Sequence, residues 1–453
     1  MFVLGWTGYG RTLPDRIEGA LPGEIPVPYV RLTPQGPSAP DPAGTVLLVH
    51  GLDSNKGFMQ LLAMALTDGG FETWIIDLPG HGDSQGAFGS EASVRAIGRT
   101  LDSLPDETVV IGHSLGAALA ADLAIRRPIP AAILLSPPPI PLAPLRIGRV
   151  LVVTGRFDAP RINASIPALL DMAGQNADWR RMRWGAHSTP LYNPGQHRLI
   201  VDWAGGKAGS VRTPERLIWL GLMLASALVI PALAIRLEQK GCARAAGTAS
   251  QVPAAEDIVA RIGALAASLA LLALFNPLSW LRLFRTDYLI GVLLISGLVL
   301  WRGRGFGMSL RGLLHALGAA AWLILALGVV GSSFLDLVPS GEQWLRFPLL
   351  AAACLPLAMY DESVVRKYRP GWRMWGMFLL SRVLIWAAVV TGVLLMNTEA
   401  VFLVVIMHFI VLGWALLWWT GGLLYRATGE PAAAALFSSL VQGWVFAALF
   451  VTI

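Results

Sequence analysis

Cysteine is almost missing from this chain. Cys242 and Cys354 are the only two, and the first 200 residues have none. That stretch can hold no disulfide framework and no thiolate metal site. Charge is scarce as well, at 14 % of residues against 55 % hydrophobic, with a mean hydropathy of +0.58. Soluble domains carry about a quarter charged residues, so part of this chain is built for a membrane. The formal charge of +6 sits largely in short loops between apolar runs. There it reads as membrane topology rather than as a nucleic-acid surface. No ordinary signal peptide opens the chain. "MFVLGW" is shorter than an export core and has no basic residue before it, and it reads as a hydrophobic start or as the tail of an anchor helix. There is no internal repeat, and the one polar low-complexity loop surrounds Ala245–Ala255.

The composition breaks at "GGKAGS", Gly205–Ser210. The expected organisation is a first domain over 1–206 and a helical domain over 207–453. Before the break, five short apolar runs read as buried strands: Thr45–Val49, Thr73–Asp77, Thr108–Ile111, Ala131–Leu135 and Val150–Thr154. Helical patterns lie between them at Phe58–Thr67, Glu91–Leu104 and Leu115–Arg126. Strand and helix in alternation predict an α/β domain, with a mostly parallel sheet and helices on both faces.

After the break, eight apolar runs follow: Leu217–Ile235, Ile258–Phe275, Tyr288–Trp301, Leu313–Gly331, Leu345–Tyr360, Trp375–Met396, Val401–Leu424 and Ala432–Ile453. A span needs about 20 apolar residues, so Tyr288–Trp301 and Leu345–Tyr360 are the short ones. Trp and Tyr mark many of the ends, as interfacial anchors do. The expectation is an all-α, multi-pass domain of about eight helices in a bacterial cytoplasmic membrane.

Basic residues in the loops set the expected orientation. One side holds Lys207, Arg212, Arg216, Arg282, Arg285 and Arg346. The other holds Arg236, Lys240, Arg244, Arg302, Arg304, Arg311, Arg366, Lys367, Arg369, Arg373 and Arg426. The richer set reads as cytoplasmic, which puts the first domain on the extracytoplasmic side.

The chemistry lies in the first domain. "IGHSLGAALA" contains Gly112-His113-Ser114-Leu115-Gly116, of the form G-x-S-x-G. A serine on a sharp strand-to-helix turn carries its hydroxyl above the sheet edge, and the flanking glycines avoid a Cβ clash. The helix start below it favours negative charge. The plain alternative is a glycine-rich turn that happens to contain a serine. A nucleophilic serine needs a base and an orienting acid. Asp158 follows a strand in "VTGRFDAP" and His187 lies in the loop "MRWGAHSTP", so the order Ser, Asp, His is present. His197 is a rival base on an expected helix after Pro194, where a surface position is the default reading. Asp171 and Asp178 are rival acids, and neither follows a strand. His50-Gly51-Leu52 ends a strand, so the backbone N–H groups of Leu52 and Leu115 are the expected oxyanion donors. His81, in "DLPGHGDSQG", precedes the nucleophile and reads as structural.

"VLLVHGL", "IIDLPGHGDS", "GHSLGA", "VTGRFD" and "GAHS", in this order, resemble the α/β-hydrolase family over roughly residues 25–205. The likeness is to lipase, esterase and dienelactone-hydrolase-like branches, in particular bacterial membrane-bound members with a multi-helix C-terminal half. The resemblance implies a serine hydrolase with Ser114 as nucleophile, Asp158 as acid and His187 as base. One departure stands out. Only "SPPPIPLAPLRIGR" separates two strands between which many lipase-like relatives insert a helical cap. No cap is expected, which leaves the site open or covered by the membrane half.

In the apolar half, Arg261, His315 and Arg382 lie within about two turns of a run's end, where snorkelling accounts for them. His408 is deeper and reads as a buried histidine satisfied by a neighbouring helix, or else as a polar contact to substrate. The functional expectation is a membrane-embedded serine esterase. It would act on a small-molecule or lipid ester, with no metal, no cofactor and no nucleic-acid partner. Two alternatives are an acyltransferase using the same three residues and a non-catalytic ligand-binding protein of signalling or transport.

Overall fold

The computed structural model describes residues 2–34, 41–239, 254–275, 287–301, 307–331, 337–366, 372–395 and 407–449. The first 206 residues form a sheet of eight strands flanked by helices. In chain order the elements are α1 (Phe2–Gly10), β1 (Asp15–Leu21), β2 (Val27–Thr33), β3 (Thr45–Val49), α2 (Lys56–Asp68), β4 (Glu72–Ile76), α3 (Ser90–Asp102), β5 (Val109–His113), α4 (Leu115–Arg126), β6 (Ile129–Leu135), β7 (Ile147–Gly155), α5 (Pro160–Ala173), β8 (Ala177–Met182) and α6 (Pro194–Ala204). The strand order is β1-β2-β4-β3-β5-β6-β7-β8. From β4 to β8 every pairing is parallel, and the β1–β2 hairpin joins β4 antiparallel.

The central strands are the ones that read as unbroken apolar runs. Val46–Val49 and Val109–His113 are buried throughout, because helices cover both faces of a parallel sheet. Three strands escaped the sequence reading. All seven residues of β1 are exposed or nearly so, and β8, "ADWRRM", is an edge strand with three residues fully exposed. An edge strand needs no apolar run, so its pattern is silent. In β2 the alternation is broken at Pro28 and Tyr29, which are both half-buried. Two helices were also missed. α1 is too short for a periodic signal, and α5 carries Pro167 in its interior. Between β6 and β7, residues 136–146 contain no helix, so there is no cap.

α2 is buried over almost its whole length, and Asn55 caps it by accepting from the Gly57 N–H at 3.0 Å. α1 lies on its outer side, where the Tyr9 hydroxyl meets Met64 Sδ at 3.9 Å. The core of the sheet draws Leu47, Val110, Ala132, Leu134 and Val152 against Ile97, Ala120 and Ile166 of the covering helices.

The remaining elements are helices: α7 (Thr213–Gln239), α8 (Ala254–Leu274), α9 (Asp287–Leu300), α10 (Leu310–Gly331), α11 (Gln343–Val365), α12 (Trp372–Leu395), α13 (Met407–Thr428) and α14 (Pro431–Leu449). Among the described residues, α8, α10, α11, α12 and α14 are long and apolar enough to cross a membrane, and α9 is apolar but shorter. The chain divides into two compact units, Met1–Leu224 with Gly328–Val338 and Leu449–Ile453, and Ala225–Leu327 with Pro339–Ala448. The division falls inside α7.

Within the second unit, Arg261 and Arg382 do not snorkel as expected. Both pair with Asp361, Arg382 at 2.8 Å, and Ser381 joins them with its hydroxyl 3.0 Å from Arg261. The expected run stopped at Tyr360 because Asp361 and Glu362 follow. The helix continues to Val365 because the two guanidiniums neutralise the buried carboxylate. The His315 Nδ1–H donates to the carbonyl of Arg311 at 2.8 Å. The side chain of His408 lies outside the described residues.

Candidate active site

β5 ends at His113 and α4 begins at Leu115, so the single residue Ser114 makes the whole turn. Its backbone stands at φ 52°, ψ −117°, a region that non-glycine residues rarely enter. The turn is locked by Ser114 N–H donating to the Leu135 carbonyl at 2.8 Å. The Ser114 carbonyl accepts from Ala117 at 2.9 Å and Ala118 at 3.1 Å. The glycines have a steric reason. A Cβ on Gly112 would stand 2.4 Å from the Gly116 oxygen, and one on Gly116 would stand 2.3 Å from the Val49 oxygen. Helix α4 is thereby pressed against the end of β3, with its N-terminus beneath the serine.

The end of β3 supplies the facing wall. A Cβ on Gly51 would lie 3.2 Å from Ser114 Cβ and 3.1 Å from His113 Nδ1, so the His50-Gly51-Leu52 backbone runs directly beside the serine. His50 is fully buried, and burial pushes its pKa down to about 4. Its neutral ring accepts from Leu78 N–H at Nε2, 3.1 Å, so Nδ1–H donates to the Gly51 carbonyl at 2.7 Å. The N–H groups of Leu52 and Leu115 take part in no hydrogen bond among the described residues.

The loop after β4 is fastened to the start of α2 by one carboxylate. Asp77 is fully buried and accepts from Lys56 N–H and Nζ, both at 2.7 Å, and from Asp83 N–H at 2.9 Å. Burial opposes the charge on Lys56, but Asp77 and Asp83 hold its pKa above the ordinary value. His81 is buried in the same loop. Its Nδ1–H donates to Pro79, and its ring stands 4.9 Å from that of His50.

Asp158 and His187 are brought together from the ends of β7 and β8. The two loops are stitched by backbone bonds, Arg156 N–H to Met182 at 2.9 Å and Phe157 N–H to Gly185 at 2.8 Å. His187 Nδ1–H donates to Asp158 Oδ1 at 2.8 Å, and Ala159 N–H adds a bond to the same oxygen at 3.1 Å. Burial raises the Asp158 pKa, but the bond and charge of His187, with the Ser136 hydroxyl and Ala159 N–H, bring it below the ordinary carboxylate value. The backbone of His187 is clamped too. Its carbonyl accepts from Ser136 Oγ at 3.0 Å and from His113 Nε2 at 3.2 Å. The His113 ring lies 5.0 Å from that of His187, and burial keeps it neutral, with a pKa of about 3. His113 therefore touches both sides of the site, with the Gly51 and Ser114 backbone on one flank and His187 on the other.

The rivals lie elsewhere. His197 is buried rather than on the surface, with Nδ1 2.7 Å from Thr213 Oγ, because α6 packs against the start of α7. Asp171 and Asp178 are exposed on α5 and β8. Ser136 and the Lys56–Asp77 pair were not singled out from the sequence. The available signal for Ser136 was a polar residue at the carboxyl end of a buried strand, next to the strand that carries the serine. Among the described residues, no three His, Cys, Asp or Glu side chains stand together as a metal site.

Residues 46–226 match the alpha/beta hydrolase family. Lipase LipV of Mycobacterium tuberculosis is 30 % identical over 200 residues, which are 43 % of this chain and 71 % of that protein. This chain belongs to the alpha/beta hydrolase family. A pimeloyl-[acyl-carrier protein] methyl ester esterase of Nitrosospira multiformis is 33 % identical over 106 residues, 22 % of this chain and 37 % of that enzyme, so the chain spans well under two thirds of that relative. Among solved structures, an alpha/beta serine hydrolase without a lid from Xanthomonas campestris aligns with a TM-score of 0.35 at 19 % identity. It covers 42 % of this chain and 91 % of its own.

Proposed function

We propose that this protein is a membrane-embedded serine hydrolase of carboxylic esters, with residues 1–206 as the hydrolase domain. The observation that carries the reading is the pairing of an acid and a histidine beside a serine in a strained strand-to-helix turn. The Asp158–His187 bond is 2.8 Å long. Asp158 holds His187 with Nδ1 protonated, which leaves Nε2 free to act as base. Ser114 Oγ attacks the ester carbonyl while His187 takes its proton. The oxyanion that forms is met by the N–H groups of Leu52 and Leu115, donors worth about 3 kcal/mol each at the transition state. His187 then protonates the leaving alcohol, and an acyl group remains on Ser114. Water, deprotonated by His187, releases the acid. Within this reading Gly112, His113 and Gly116 shape the turn.

The names of the relatives point to esters of fatty or dicarboxylic acyl groups, and the apolar helices point to an amphiphile. The helical domain holds the enzyme in the membrane as a multi-pass protein, and the loop charges put the hydrolase domain outside the cytoplasm. Fluorophosphonate labelling of native membranes tests the chemistry. Labelling of the wild type and its loss in both Ser114→Ala and His187→Ala are expected. Equal labelling of Ser114→Ala refutes the assignment. Reporter fusions at Ile453 and in the Lys240 loop test the sidedness, and a cytoplasmic C-terminus refutes it.

A further inference from the structure

Two large aromatic side chains of the first unit stand exposed at one end of the sheet. Phe157 is 60 % exposed and Trp184 73 %. They stand on the segments leaving β7 and β8, at the carboxyl edge of the sheet that carries Ser114. Phe157 is next to Asp158, and Trp184 is three residues before His187. The two rings lie 6.0 Å apart, and the Arg183 guanidinium sits 5.7 Å from the centre of the Trp184 ring. Arg156, Arg161 and Arg183 are all exposed. Over residues 156–165 and 180–187 the only acid is Asp158, and it is buried against His187. Exposed aromatics ringed by uncompensated arginines are the chemistry of a lipid headgroup layer of negative charge.

The course of the helices in the same unit points the same way. α2 starts at the carboxyl edge and descends to Asp68, where Arg216 of α7 pairs with it at 2.6 Å. α1 descends beside α2, because Trp6 and Tyr9 share a cavity of about 300 Å³ with Gln60 and Met64. α7 rises antiparallel to α1. Trp219 packs where a Cβ on Gly8 would fall, and Met223 where one on Gly5 would fall. α7 therefore climbs back toward the carboxyl edge, where the start of α1 exposes Val3 at 70 % and Leu4 at 65 %.

We propose that the carboxyl edge of the sheet, through Phe157 and Trp184 with their arginines, rests on the headgroup surface of an anionic bilayer and takes its ester from there. The proposal deepens the ester-hydrolase reading. The substrate is an amphiphile whose ester stands at the interface, and it reaches Ser114 without crossing water.

The test uses the full chain with Cys242→Ser and Cys354→Ala, carrying one bimane label at Trp184→Cys. A second protein carries the label at Asp106→Cys, on the exposed loop at the opposite edge of the sheet. Both are reconstituted in phosphatidylcholine vesicles with and without a quarter of phosphatidylglycerol, with headgroup-nitroxide lipid in both leaflets. At least threefold stronger quenching at 184 than at 106, weakening in pure phosphatidylcholine, is the expected result. Quenching at 184 no stronger than at 106, with full access to aqueous iodide, overturns the proposal. A label at 184 shielded from both quenchers overturns it as well, because protein then covers the rim. Equal quenching in the two lipid mixtures overturns the role of the arginines. The readout is position and not turnover, so it fails or stands independently of fluorophosphonate labelling.

Discussion

Four buried histidines make the hydrolase domain sensitive to mild acid. Burial depresses the pKa values of His50 and His197 to about 4, and those of His81 and His113 to about 3, from an ordinary 6.5. The folded state keeps all four neutral down to that range, whereas the unfolded chain binds a proton at each below pH 6.5. The unfolded state thus holds more protons, and stability falls as pH falls from 6.5 toward 4. At pH 5 each histidine costs about 2 kcal/mol, and the four together about 8 kcal/mol. That is the size of a whole domain's stability, ~5–15 kcal/mol. The melting temperature of the full chain in detergent, followed from pH 7 to pH 5 at constant ionic strength, is expected to drop by roughly 20 °C for the hydrolase transition. His197→Asn keeps a donor to Thr213 and cannot titrate, so its stability should fall less steeply by about 1.4 kcal/mol per pH unit. A melting temperature that moves less than about 3 °C, or an unchanged slope in His197→Asn, refutes the reasoning.

Asp158→Asn preserves the shape but not the acceptor charge, and hydrolysis of short acyl esters is expected to fall about 10³–10⁴-fold; a loss under tenfold contradicts the assigned role. Ser136→Ala leaves the His187 carbonyl with only the His113 bond, costing about 1 kcal/mol of stability and roughly five- to tenfold in ester turnover, measured side by side with wild type. Gly116→Ala drives a Cβ to 2.3 Å from the Val49 oxygen, where only backbone can yield. Its cost should be about 3 kcal/mol or more in thermal melts, whereas Gly209→Ala meets nothing and should melt normally. Arg216→Met strips Asp68 of its buried partner and is expected to cost about 3–5 kcal/mol, much of it recovered on adding Asp68→Leu. A double variant as unstable as the single one would show that the charge pair is not the cause.

What was legible along the chain, and what was not, follows from where burial lies. The central strands and α4 stood out because both faces of a parallel sheet are dry, and dryness leaves a mark at every position. β1 and β8 left none, since their side chains meet water, and α11 was read too short because the run ended where the acids Asp361 and Glu362 begin. The ion cluster of Arg261, Asp361 and Arg382 joins residues 100 apart in the chain, and no local pattern reports such a pairing.

The turn around Ser114 was legible in the sequence alone. The demand for glycine at 112 is local, because a Cβ there would strike Gly116 and Ala117 of the same turn, whereas Gly116 answers to the Val49 oxygen at the end of β3. Which acid and which histidine stand together was a matter for the tertiary structure. His187 and His197 are ten residues apart and chemically the same, as are the three aspartates weighed for the acid. Only the parallel register of β7 and β8 carries Asp158 and His187 to one edge, while α6 carries His197 into the packing against Thr213. A hydrogen bond of 2.8 Å depends on where two loops end in space, and that is set by the sheet and not by the residues on either side of it.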